Sequence, residues 1–137
     1  DKGRKDVGRL ASFLARSRLP VSRVQHSGKL RAQQTALLFA EALGAGRVVQ
    51  ECPYPLAPND SVAPLVQALT LEKQVDEGVM LVGHLPFMDR LVSTLLCDTE
   101  ERSCVLFETG AVVALTHSTG KQDWQLDWVM KPKLLGG

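Results

Sequence analysis

The apolar positions of the chain fall into blocks with two different spacings. Val7, Leu10, Ala11 and Leu14 recur at i, i+3, i+4 and i+7, which predicts an amphipathic helix ending near residue 18, before Pro20. Residues 21–27 predict a short strand, closed by Ser27-Gly28-Lys29. From about residue 29 to 43, Ala32, Thr35, Ala36, Phe39, Ala40 and Leu43 trace one stripe of a second helix, with Gly44 and Gly46 as its stop. Residues 47–51 predict another short strand. Pro53, Pro55 and Pro58 punctuate the loop that follows. Asp60 or Ser61 then caps a helix whose inner face is Val62, Leu65, Val66 and Leu69. After a polar linker, Val79-Met80-Leu81-Val82 is a run of four apolar residues. Such a run reads as a strand covered on both faces, where no alternation is needed. A helix after Pro86 carries Met88, Leu91, Val92, Leu95 and Leu96. Past a charged loop at 97–103, residues 104–107 and 111–116 predict strands, and Ser118-Thr119-Gly120-Lys121 a hairpin turn. Trp124, Leu126 and Trp128 alternate with polar residues, as in a half-buried or edge strand. The tail from Lys131 is expected to fray.

Helices and strands thus alternate through most of the chain. This predicts an α/β fold: a three-layer αβα sandwich with a mostly parallel sheet and an antiparallel edge hairpin. At 137 residues the chain fits a single domain, 1–137. A formal charge of +1 argues against a nucleic-acid platform or a polybasic membrane binder. No apolar run reaches the length of a membrane span, and no signal peptide opens the sequence. Cys52, Cys97 and Cys104 are odd in number and lack metal-ligand spacing. They are expected to be free or buried thiols in a reducing cytoplasm, and no metal or cofactor is expected.

The candidate chemistry lies at two strand-to-helix junctions. In Val82-Gly83-His84-Leu85-Pro86, Gly83 lets the backbone turn and Pro86 suits the first turn of a helix. His84 is therefore placed at the carboxyl end of a strand and the N-terminus of a helix. Ligands of open α/β sheets bind at that edge, and helix N-termini favour anions. An imidazole there is either a phosphate ligand or acid/base group, or a capping and packing histidine. Arg31 occupies the first turn of the second helix, where a cation opposes the helix dipole. That placement suits an arginine engaged with an anion, although a solvated arginine is the commoner case.

Taken together, Ser27-Gly28-Lys29-Leu30-Arg31-Ala32-Gln33-Gln34-Thr35 and Gly83-His84-Leu85-Pro86 resemble the histidine phosphatase superfamily, the phosphoglycerate mutase-like proteins. That family's pattern has a serine, then Arg-Ala-x-Gln-Thr, and later Gly-His. Within it the chain is most similar to the small SixA-type phosphohistidine phosphatases. Asp1-Lys2-Gly3-Arg4, Leu56-Ala57-Pro58-Asn59-Asp60, Phe107-Glu108-Thr109-Gly110-Ala111 and Trp124-Gln125-Leu126-Asp127-Trp128 extend the resemblance over nearly the whole chain. The resemblance implies that Arg31 and His84 are catalytic and hold the phosphoryl group, with Ser27 also in the phosphate pocket. It implies a hydrolase that passes through a phosphohistidine intermediate and acts on a phosphorylated histidine-containing protein. Phosphate or another small anion would occupy the pocket.

The family's nucleophile is a histidine in an Arg-His-Gly motif, at the end of a strand ahead of the first helix. No such motif occurs in residues 1–137. His26 sits on the wrong strand to replace it and His117 lies near the final hairpin, so both are expected to be surface or packing residues. The expectation is that strand and nucleophile lie upstream in the full-length protein, and that residues 1–137 alone are inactive. The alternatives are a small-molecule phosphomonoesterase of the same superfamily, a non-catalytic phosphate-binding module, and a plain α/β interaction domain. Glu51 and Asp60 are the nearest acidic residues for a proton donor, and solvated-loop positions are expected for both.

Overall fold

The computed structural model describes residues 2–17, 19, 21–44, 48–71, 78–117 and 124–135, with the side chains of 2–4 excepted. The turn expected at 118–121, the stop at Gly46 and all but Gly78 of the linker expected at 72–78 lie outside these residues, and Gly78 itself opens a strand. The order of elements is α1 (Lys2–Ala15), β1 (Val21–His26), α2 (Leu30–Leu43), β2 (Val48–Glu51), α3 (Ala63–Leu71), β3 (Gly78–Val82), α4 (Phe87–Cys97), β4 (Val112–His117), β5 (Trp124–Met130) and a short 3-10 turn, Pro132–Leu135.

Three parallel strands form a sheet in the order β2-β1-β3, and β4 and β5 form a separate antiparallel pair. In β1, Val24 pairs with Val49 on one side and Met80 on the other. The pleat sends alternate residues to opposite faces. On one face, Val24 packs with Ala36 and Ala40 of α2, joined by Met80 and Val82. On the same side Leu10, Ala11 and Leu14 of α1 meet Phe39 of α2, along with Met80, Val112, Trp128 and Met130. On the opposite face, Leu65 of α3 and Phe87, Leu91 and Leu95 of α4 enclose Cys52, Leu56 and Val62, with Leu81, Leu115 and Trp124 against them. Helices α1 and α2 therefore cover one face and α3 and α4 the other, giving the three layers of the α/β sandwich. Both apolar clusters bring β3 residues together with residues of the β4–β5 pair, yet β3 and β4 share no hydrogen-bonded ladder.

Three expectations are corrected. Residues 104–107 are not a strand. The Ser103 hydroxyl donates to both carboxylate oxygens of Asp89 at 3.1 and 3.2 Å, and Cys104 is bonded to Cys97, so the segment folds back on α4 instead of joining a ladder. That disulfide also overturns the reading of all three cysteines as thiols. Cys52 alone is free, and the argument for a reducing compartment falls with the pairing. Finally, the tail is ordered as far as Leu135. Pro132 is buried, and Leu135 packs on the α1–α2 cluster.

The run Val79–Val82, read as covered on both faces, is half-buried and lies at one end of the three-strand order.

Candidate active site

His84 follows β3 directly and Ser27 follows β1, and β1 and β3 are parallel neighbours. Their carboxyl ends thus lie side by side, and the two side chains meet there. Ser27 Oγ and His84 Nε2 are 2.7 Å apart and hydrogen bonded. The backbone N–H of Lys29 also donates to Ser27 Oγ, at 3.3 Å. Ser27 is therefore first a partner of His84, beyond the phosphate-contacting role implied for it.

The turn between β1 and α2 explains the local sequence. Gly28 has φ +90, a left-handed conformation that side chains disfavour. Its N–H donates to Nδ1 of the buried His26 at 3.0 Å. His26 is thus a turn-bracing residue of the β1 end, as its packing reading required. Lys29 is the N-cap of α2 but offers no capping side chain, so the amides of the first turn are not capped from within by that residue. Arg31 stands in that first turn, exposed, with no hydrogen bond or ion pair among the described residues.

At the second junction, Gly83 allows close packing. A Cβ there would approach Met88 Sδ to 2.8 Å and the Leu56 carbonyl to 3.7 Å. The loop around Leu56 is in turn braced. Asp60 accepts the Ala57 N–H at 2.9 Å, and Arg90 of α4 donates to the Pro58 carbonyl at 2.7 Å. Asp60 is accordingly a loop-bracing carboxylate.

Burial holds the His84 imidazole below its ordinary pKa, and the Lys29 charge adds to the shift. Both effects disfavour the imidazolium. A negative charge beside the ring would oppose both effects. Burial pushes the Cys52 thiol up, which the Tyr54 N–H partly offsets, and Glu51 adds to the rise. Cys52 is therefore poorly suited to be a nucleophile. His117 stacks on Trp124 with ring centroids 4.6 Å apart, away from the two junctions in sequence. Among the described residues no group of three His, Cys, Asp or Glu side chains could hold a metal, and no helix is long and apolar enough to cross a membrane.

The fold thus brings Ser27 and His84 together at the sheet edge, and Arg31 stands on the first turn of the adjoining helix α2. The pairing of Ser27 with His84 was not legible in the sequence, because the two residues are 57 positions apart and only the parallel register brings them together.

No protein-family model matches the sequence, and no curated protein does. Solved structures do match. The chain is similar to the protein histidine phosphatase SixA, solved in complex with tungstate. The TM-score is 0.78 and the sequence identity 25%, over 93% of this chain and 80% of that one. The chain thus has a histidine phosphatase fold of the phosphoglycerate mutase-like kind.

Proposed function

We propose that the full-length protein is a phosphohistidine phosphatase, and that Arg31, His84 and Ser27 form its phosphoryl pocket. The observation that carries this reading is the meeting of Ser27 and His84 at the carboxyl ends of β1 and β3, beside the open first turn that bears Arg31. The tungstate of SixA is a tetrahedral oxyanion, which fits a pocket of this kind.

A phosphoryl group in transfer spreads negative charge over its equatorial oxygens, so catalysis is mostly positioning and charge stabilisation. The Arg31 fork and the His84 N–H would supply donors to those oxygens. Ser27 would hold the His84 ring in place.

The nucleophile in this reading is a histidine on a strand outside residues 1–137. Two features support such a strand. Among the described residues the β3 edge has no ladder partner on the β4 side, and its apolar run is only half-buried. Yet β3 and the β4–β5 pair contribute to the same two apolar clusters, as neighbours of a common missing member would. Attack by that histidine on the substrate would give a phosphoenzyme, which water then hydrolyses. The test is kcat/KM of the full-length protein on a histidine-phosphorylated carrier protein, against sugar phosphates and nucleotide monophosphates. Preference for the carrier by tenfold or more is expected, with loss of turnover in His84→Ala. Equal or better use of the small phosphates would favour a phosphomonoesterase instead.

A further inference from the structure

The side chain of Glu51 has no part in the pocket as described, although it stands at the same edge of the sheet. It is the last residue of β2, paired in register with His26, and the N–H of the next residue, Cys52, donates to the His26 carbonyl at 2.8 Å. Its carboxylate fills the space that a side chain on Gly28 would need. Gly28 in turn separates Ser27, bonded to His84, from Lys29. A carboxylate is thereby seated against the turn that carries the anion-binding groups.

That arrangement works against a bare phosphate. Lys29 and Arg31 on this turn attract a dianion, whereas a neighbouring carboxylate repels it. An ionised carboxylate has only acceptor capacity. It is useful beside a phosphoryl pocket when the substrate brings a donor, and a cationic donor most of all. Phosphohistidine does so: with phosphorus on one ring nitrogen, the other nitrogen can carry a proton.

We propose that Glu51 is a specificity-determining residue that accepts a hydrogen bond from the free ring N–H of the substrate imidazole, selecting N-phosphorylated histidine over phosphate monoesters. This rests on the phosphohistidine phosphatase reading above. In the transfer step the nucleophilic imidazole forms a P–N bond as the substrate P–N bond breaks. The bonding pair returns to the substrate ring, which leaves as neutral imidazole with its other N–H still held by Glu51. Glu51 neither gains nor loses a proton. An ester leaving as alkoxide or phenolate brings no donor, and its growing negative charge faces the carboxylate.

The experiment compares the full-length wild type with Glu51→Gln and Glu51→Ala on free N-phosphohistidine and on p-nitrophenyl phosphate. Glutamine keeps the shape seated against Gly28, and unchanged melting temperatures confirm folding. The expected result is a fall of about tenfold or more in the ratio of kcat/KM for phosphohistidine to that for p-nitrophenyl phosphate, in both variants. That scale is the one typical of a single hydrogen bond to a charged group. The alkaline limb of the phosphohistidine pH profile, set by loss of the substrate ring proton, should also flatten in the variants. A ratio unchanged within twofold, or an equal loss on both substrates, overturns the proposal while leaving the phosphatase reading standing. If the wild type hydrolyses phosphohistidine not at all, the underlying reading fails and this inference with it.

Discussion

His84 is the residue whose state the fold controls most visibly. Because burial and Lys29 lower its pKa, the folded protein binds the proton less readily than the unfolded chain does. Below the ordinary histidine value of about 6.5 the unfolded state therefore holds more protons, and stability falls as pH drops through that window. Thermal melts from neutral to acidic pH should show this decline, and His84→Gln should reduce it. Anion binding has the opposite linkage, since an oxyanion favours the imidazolium. Tungstate or phosphate affinity should rise as pH is lowered toward and below that value, with proton uptake visible by calorimetry in buffers of different ionisation enthalpy. Affinity independent of pH would show that His84 does not face the anion. Arg31→Ala should weaken tungstate binding by about tenfold or more, and Arg31→Lys should restore only part of it, because a lysine cannot make the two-pronged contact. The positions of both residues were legible in the sequence, since each follows a strand end near the start of a helix. The seat of Glu51 against Gly28 was not, because it depends on the pairing of β1 with β2.

Among the elements, the β1–α2 turn and the loop after α4 define the surroundings of the site. Gly28→Ala would place a Cβ in a left-handed conformation and into the Glu51 carboxylate. A loss of about 1–3 kcal/mol is expected in urea unfolding, larger than for an ordinary surface Gly→Ala change. The loop after α4 shows where periodicity misleads. Residues 104–107 carry Val105, Leu106 and Phe107, a strand-like run, but only Val105 is buried and Leu106 is 70% exposed. Long-range bonds decide the local shape: Ser103 to Asp89, Glu100 to Arg90 at 3.1 Å, and Cys104 to Cys97. Arg90 also binds the Pro58 carbonyl, so this loop and the one beside Gly83 share an anchor. The two cysteines are seven positions apart. Closing so short a loop is worth about 2 kcal/mol, so unfolding free energies from urea titrations with and without reductant should differ by that amount. No such difference should remain in Cys104→Ser.

For the molecule as a whole, the layer order and helix faces were legible because the apolar stripes are long and the strands alternate with helices. The parallel sheet and the antiparallel hairpin were legible too, but not that the hairpin shares no ladder with the parallel three, which a residue pattern does not encode. The half-buried state of Val79, Met80, Leu81 and Val82 is the clearest departure from the pattern, since four apolar residues in a row call for cover on both faces. If a strand of the full-length protein pairs with β3, the amides and carbonyls of that edge gain partners. Hydrogen exchange in β3 and β4 should then be slower in the full-length protein than in residues 1–137, by about tenfold or more if the pairing is stable. Equal exchange in the two would place the added segment elsewhere. The account as a whole stands on a phosphoryl group held by Arg31 and His84 and passed to an enzyme histidine. The most direct measurement is therefore rapid-quench trapping of the full-length protein after mixing with a carrier protein labelled on phosphohistidine. The expected result is a labelled, acid-labile phosphoenzyme that decays to free phosphate, with labelling at least about a hundredfold slower in Arg31→Ala and in His84→Ala. Phosphate release without a labelled enzyme, or labelling untouched by either substitution, would contradict it.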